Sequence, residues 1–250
     1  MDSLHTIWAG TVPYDAAWDW QKELVADLSE TAVSTSHHLL LLEHPPTYTL
    51  GRRGTLDHLL LDEAQLVEGG FTLRWVDRGG DITYHGPGQL VGYPILNLKQ
   101  IFARRGCNRP DLHLYLRDLE EGIIQTLAGF DIKGWRYKGY TGVWVDSPRG
   151  PEKIAAIGIR VNTKGISSHG FALNVQPDLN HFSHIIPCGI QEHGVTSMSA
   201  VLGRPFTTTE LVQPILTAFQ DIFDLKIEYP STADTSSQLS VPSVAKKEQA

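Results

Sequence analysis

Cysteine is scarce in this chain: there are two among 250 residues, Cys107 and Cys188. Two thiols so far apart build neither a disulfide framework nor a CxxC metal site. The expectation is a reduced, cytoplasmic protein. The eleven histidines form no HExxH and no His/Cys cluster at ligand spacing, so no metal is expected. Positive charge is also short. Lys and Arg number 21 against 28 Asp and Glu, a formal net charge of −7, which argues against a nucleic-acid partner. The local basic clusters are Arg52-Arg53, Arg104-Arg105 and KGWRYKG (133–139). No apolar run reaches the ~18 residues of a membrane-spanning helix. The opening MDSLHTIWAGTVPYD has neither the leader pattern of a secreted protein nor the Arg-rich, acid-poor pattern of a transit peptide. A Walker loop, a GxGxxG and internal repeats are all missing.

What is present suits a globular protein with a sizeable core: 41% apolar and 20% charged residues. Tyr14, Ala17, Trp18, Leu24, Val25 and Leu28 recur at helical spacing and predict a helix over 13–30. HHLLLLEH (37–44), stopped by Pro45-Pro46, reads as a buried strand. FTLRWV (71–76), QLVGYPIL (89–96) and HGFALNV (169–175) read as further strands. GVWV (142–145) and KIAAIGIRV (153–161) read as a hairpin turning through DSPRGPE. Asn108 is the expected cap of a helix with Pro110 in its first turn, a stripe of Leu112, Leu116, Leu119, Ile123 and Leu127, and Gly129 at its end. Thr207 and Glu210 fit a capping box, followed by Leu211, Ile215, Phe219 and Ile222 on one face. Strands outnumber helices without alternating strictly with them. The pattern therefore favours an α+β class, one mixed sheet flanked by helices, in a single domain over 1–230. Residues 231–250, Ser/Thr-rich and polar, read as a mobile tail.

The densest stretch is DRGGDITYHGPGQLVGYP (77–94). Its glycines permit positive φ and close backbone approach, with Arg78, Tyr84, His85 and Gln89 beside them. Alone, it reads equally well as two tight turns around a short strand. Cys188 is similarly two-sided. A lone cysteine is more often a small buried hydrophobe than a nucleophile. Pro187 and Gly189, however, favour a turn that would project it from an irregular segment. Cys107, in RRGCNRP, keeps the plain reading.

RGGDITYHGPGQ (78–89) resembles the signature of lipoyl(octanoyl) transferases, the octanoyl-acyl carrier protein:protein N-octanoyltransferases of lipoate synthesis. KIAAIGIRV with SSHGFALNV (153–175), and NHFSHIIPCGI with VTSM (180–198), match the same family in the same order. The resemblance runs from about residue 37 to about 225; GIQEH (189–193) lies outside the matched motifs. It implies the fold shared by biotin and lipoate protein ligase catalytic domains, and no cofactor. Cys188 stands where the family has its acyl-accepting cysteine, and Lys153 where it has the lysine that lowers that cysteine's pKa. Substrate contacts map to Arg78, Gly79, Gly80, Asp81, Ile82, Thr83, Tyr84 and His85, to Ala156, Ile157 and Gly158, and to Gly170, Phe171 and Ala172. His85 and His169 are expected to orient substrate. The implied donor is octanoyl-acyl carrier protein. The implied acceptors are lipoyl domains of 2-oxoacid dehydrogenases and the glycine cleavage H protein. Both partner types are acidic, so Arg52, Arg53, Arg74, Lys133, Arg136 and Lys138 are the candidate dock. Three rivals remain: an ATP-dependent ligase on the same fold, since GRRG (51–54) faintly resembles ligase loops; a non-catalytic module that binds acyl carrier protein or lipoyl domains; and, more weakly, a cysteine hydrolase, for which no His/Asn pairing stands out in the sequence.

Overall fold

The computed structural model describes residues 2–30, 36–186 and 193–229. The first unit is β1 (Ser3–Thr11), α1 (Tyr14–Glu30) and β2 (Ser36–Glu43). β1 and β2 are parallel, so the chain must cross between them, and α1 makes that crossing. β3 (Thr47–Leu50), α2 (Glu63–Glu68), β4 (Thr72–Trp75) and β5 (Ile82–His85) follow. β3 pairs with β4 and β5 as a separate three-stranded sheet. β6 (Gln89–Ile95) returns to the main sheet, and α3 (Leu98–Arg104) and α4 (Leu112–Ala128) leave it. The hairpin β7 (Val143–Ser147) and β8 (Gly150–Val161), then β9 (Ser167–Asn174), complete its centre. Last come β10 (Gly194–Val195), α5 (Met198–Leu202), α6 (Val212–Phe223) and β11 (Lys226–Glu228). In the main sheet β8, β9, β6, β2, β1 and β11 lie side by side, and β7 and β10 also pair with β8. Parallel and antiparallel pairs mix, as an α+β reading requires.

The HHLLLLEH run explains the layers. Side chains alternate across a strand, so Leu39 and Leu41 face one core while Leu40 and Leu42 face another. The first core is closed by α4 and α6, through Leu119, Ile123, Leu127, Ile215, Phe219 and Phe223. The two helices approach at Gly122, where a Cβ would lie 2.9 Å from the Phe219 ring. The second core receives Ala16 and Ala17 of α1. A strand covered on both faces has no polar face to show, hence the unbroken apolar run.

Two expectations about α4 are corrected. Its cap is Asp111, not Asn108: Oδ1 of Asp111 accepts the N–H groups of His113 and Leu114 at 2.9 and 3.0 Å. Pro110 therefore precedes the cap instead of sitting in the first turn. The buried stripe begins at Tyr115, and Leu112 is 45% exposed. Gly129 does close the helix, and Thr207–Glu210 does form a capping box, over a short 3₁₀ turn ahead of α6. Residues 231–250 lie outside the described residues.

Among the buried histidines, His37 and His44 tie the fold to pH. Burial pulls both His37 and His44 down to about 4, against an ordinary value of 6.5, with Asp2 partly opposing this at His37. The unfolded chain binds these protons first, so their contribution is present above pH 6.5 and is lost as pH falls toward 4. Through these two groups, stability is expected to drop by about 2 kcal/mol between pH 6.5 and 5.5. Urea midpoints at the two pH values measure it, and a flat midpoint would refute it.

Candidate active site

A cavity of about 470 Å³ opens between one face of β6, β9 and β8 and the glycine-rich stretch before β5. This is the size range of small-molecule pockets. Its floor is made by strand register. Ala156 pairs with Ala172 and Gly158 with Gly170, so two successive pairs on one face of the sheet offer nothing larger than a methyl group. Between them Ile157 pairs with Phe171 and packs on the first core. The small residues also admit the roof. A Cβ on Gly158 would lie 2.9 Å from the Gly79 carbonyl, and the Gly79 N–H donates to the Ile159 carbonyl at 2.9 Å.

The roof is braced from GRRG. The Gly51, Arg52 and Arg53 N–H groups donate to the carbonyls of Asp81, Arg78 and Gly80 at 3.2, 3.0 and 3.1 Å. The Arg78 guanidinium turns into this brace, donating to the Thr49 and Gly79 carbonyls at 2.6 and 3.0 Å. Asp81 accepts the Ile82 N–H at 2.7 Å and holds His58 Nδ1 at 2.6 Å. Gly79, Gly80, Ile82, Thr83 and His85 line the cavity beside them. Tyr84 does not: alternation along β5 puts it in the cluster under the small sheet, its hydroxyl 2.7 Å from His181 Nδ1.

Proton positions at the wall follow from obligate acceptors. Gln89 Nε2 faces the Tyr84 carbonyl at 3.2 Å and Asn174 Oδ1 at 2.9 Å, so Oε1 faces His85 Nδ1 at 2.8 Å. His85 therefore carries its proton on Nδ1. Burial, reinforced by the nearby His44 and Arg78, holds it well below the ordinary histidine range, so it is neutral. Asn174 Nδ2 donates to the Thr196 carbonyl at 3.0 Å, and the Thr196 N–H donates to the Lys153 carbonyl at 3.0 Å. One polar chain thus links His85 to the strand that carries Lys153. Behind it, His44 Nδ1 donates to the Val12 carbonyl at 2.7 Å, leaving Nε2 to accept the Tyr93 hydroxyl at 2.7 Å. Burial pushes Tyr14 up to about 12, so this wall keeps its phenol proton at neutral pH.

His169 sits at φ 55°, in the left-handed region that non-glycine residues rarely adopt. Its N–H donates to Gln21 Oε1 at 2.8 Å, and Nε2 donates to Asp77 Oδ1 at 2.7 Å. Asp77 also meets Arg160 at 2.6 Å, and its hydrogen bond with His169 lowers its pKa. Burial lowers His169 in spite of that carboxylate, leaving a neutral ring with Nε2 protonated.

Lys153 lines the cavity, paired on one side with Trp144 of β7 and on the other with Val195 of β10. Its Nζ stands 4.9 Å from the Trp144 ring centroid. Cys188 lies outside the described residues. Phe182 and Val195, on either side of it in the chain, both line the cavity. Tyr14, Tyr93 and Asn174 also line the cavity but were not among the expected site residues. They come from three distant elements, and no motif marks them as neighbours.

Residues 13–220 match the family model for the lipoyl protein ligase A/B catalytic domain. The chain is 42% identical over 226 residues to an octanoyltransferase of Chloroflexus aurantiacus, covering 90% of this chain and 96% of that one. It is 46% identical over 214 residues to an octanoyltransferase of Rubrobacter xylanophilus, covering 85% and 90%. The chain belongs to the lipoyl(octanoyl) transferase family. Among solved structures, a bipartite lipoate protein ligase from Thermoplasma acidophilum superposes on the transferase with TM-score 0.66 at 15% identity, covering 94% of this chain and 89% of that one. A lipoate-protein ligase A bound with ATP gives 0.66 at 14%, covering 94% and 92%. At such identities the likeness shows the shared fold.

Of the six cations expected to form a dock, two have carboxylate partners on this chain. Arg74 is held by Asp15 at 2.8 Å, and Arg136 by Glu121 at 2.6 Å and Glu120 at 3.1 Å. Arg52, Arg53, Lys133 and Lys138 remain exposed, with Arg53 lining the cavity and Lys138 beside Gly139, which also lines it.

Proposed function

We propose that this octanoyltransferase takes its acyl group from acyl carrier protein, carries it as a thioester on Cys188 and passes it to a lysine of a lipoyl domain. The observation that carries the reading is the cavity floor: paired Ala and Gly positions beneath a glycine roof, with Lys153 at one end. An acyl chain needs such an apolar trough, and each buried methylene contributes about 0.8 kcal/mol. That is roughly fourfold discrimination per carbon, so chain-length preference is graded unless the trough ends in a wall.

In the first step the Cys188 thiolate attacks the donor's thioester carbonyl, and the pantetheine thiol leaves. In the second step the acceptor's lysine amine attacks the acyl-enzyme, and Cys188 leaves as the thiol. Lys153 stabilises the thiolate and passes protons to the leaving sulfur and from the incoming amine. Thioester to amide is downhill, so no ATP is consumed. Backbone N–H groups along Ala156–Gly158 are candidate donors for the tetrahedral oxyanion. The acceptors we assign are lipoyl domains of 2-oxoacid dehydrogenases and the glycine cleavage H protein. No helix among the described residues is long and apolar enough to cross a membrane, and we assign the enzyme to the cytoplasm.

Intact-protein mass spectrometry after mixing with octanoyl-acyl carrier protein tests the reading. One octanoyl group is expected, labile to hydroxylamine and mapping to the peptide that holds Cys188. Transfer that needs ATP and forms no adduct would favour the ligase alternative. Binding without any transfer would favour the non-catalytic one. The exposed Arg52, Arg53, Lys133 and Lys138 support docking of an acidic donor. Raising salt from 50 to 300 mM is expected to lower kcat/KM for acyl carrier protein several-fold, mostly through association. A salt-independent rate removes the dock.

A further inference from the structure

We propose that Trp144 is a positioning residue for the transfer reaction: its indole face seats the Lys153 ammonium beside the cavity. The inference rests on the role given to Lys153 and Cys188 above. Three observations carry it. Trp144 and Lys153 are direct partners in the β7–β8 hairpin, and directly opposed residues project from the same face. The register shifts between Val143 and Trp144, a bulge of the kind that re-aims a side chain next to a site. And Nζ of Lys153 stands 4.9 Å from the ring centroid, within cation–π range.

The indole itself is held on several sides. Trp144 is 1% exposed, and its backbone exchanges two hydrogen bonds with Trp135 at 2.9 and 2.8 Å. Tyr137, Tyr140 and His193 pack on it with ring centroids at 5.2, 5.7 and 5.4 Å. Tyr140 also lines the cavity, so this aromatic group joins the seat of the ammonium to the cavity wall. The titratable groups packed around the indole are Lys153, His193, Tyr137 and Tyr140. Glu152, next to Lys153 on β8, is turned to Arg149 at 2.7 Å.

A lysine side chain has four rotatable bonds, and an ammonium that wanders stabilises a thiolate less, because Coulomb attraction falls with distance. The aromatic face supplies a preferred place for the charge without neutralising it, as a carboxylate would.

The test is the pH dependence of kcat/KM for octanoyl transfer. Trp144→Leu is expected to raise the acid-limb inflection by about one unit and to lower kcat/KM at pH 7 about three- to tenfold. His193→Phe keeps a ring and removes the imidazole, and is expected to leave the inflection where it was. If Trp144→Leu does not fold, fluorinated tryptophan at position 144 keeps the shape and weakens the ring face; the inflection should then rise with the degree of fluorination. A folded Trp144 variant or fluorinated protein with the wild-type inflection overturns the inference. Lys153→Met separates the two readings. If it moves the inflection and the Trp144 changes do not, only the seat fails; if it too leaves the inflection unmoved, the thiolate role of Lys153 fails first.

Discussion

Replacing Cys188 with alanine is expected to lower kcat/KM for octanoyl transfer by on the order of a thousandfold or more, with binding of both partners retained. In the proposed mechanism, losing the sulfur removes the covalent path, and the two proteins must then react directly across the cavity. Cys188→Ser should be nearly as poor, because a hydroxyl stays protonated at neutral pH. Lys153→Met should cost less. An ordinary thiol, with pKa ~8.5, is a few per cent ionised at neutral pH. An ammonium ~4 Å away is worth up to ~4 kcal/mol at an effective dielectric of ~20, or about three pKa units, and desolvation by the acyl cavity takes part of that back. A net effect of one to two units makes the lysine variant about eight- to twenty-fivefold slower at pH 7, with its pH profile moved upward. Steady-state kinetics with octanoyl-acyl carrier protein and an isolated lipoyl domain measure both. A Cys188→Ala enzyme within tenfold of wild type would end the covalent mechanism.

The second large effect is on stability. Glu120 is fully buried on α4. One oxygen accepts the Gly142 N–H at 3.1 Å, and the other meets Arg117 at 2.5 Å and Arg136 at 3.1 Å. Gly142 sits at φ 115°, and a Cβ there would lie 2.4 Å from the Ala155 carbonyl, so the chain entering β7 passes close against β8. Glu120→Ala is expected to destabilise the fold by about 3 kcal/mol: a buried N–H loses its acceptor, Arg117 loses its carboxylate and Arg136 keeps only Glu121. Arg117 is half exposed, which keeps the figure at the low end for a buried pair. Glu120→Gln keeps an acceptor for Gly142 and should lose less. Urea unfolding reads this as a lower midpoint at unchanged slope. Because Glu120 anchors the stretch that brings Gly139, Tyr140 and Thr141 to the cavity, KM should rise as well. An unchanged midpoint would show that the carboxylate is dispensable.

Some elements were plain before the structure. HHLLLLEH is a strand buried on both faces, and DSPRGPE turns the β7–β8 hairpin. β1 was not foreseen. Its residues alternate only partly between buried and half-buried, and it is a strand because β2 and β11 flank it. Asp111 displaced Asn108 as a cap because both are good cap residues, and only the path after Pro110 decides between them.

By itself the sequence determined which residue types stand in the glycine-rich roof and where the small residues of the floor fall, and its resemblance to a family pointed to one lysine and one cysteine. Those are properties of local order, and a motif preserves them. Only the tertiary structure decided who meets whom. Ala156 opposite Ala172, Lys153 opposite Trp144, Arg74 spent on Asp15, Tyr84 turned away from the cavity, and Tyr14 and Tyr93 in its wall are all outcomes of strand register and packing. A one-residue slip in register would exchange every face, and register is set by burial summed over the whole sheet, not by any single stretch of chain.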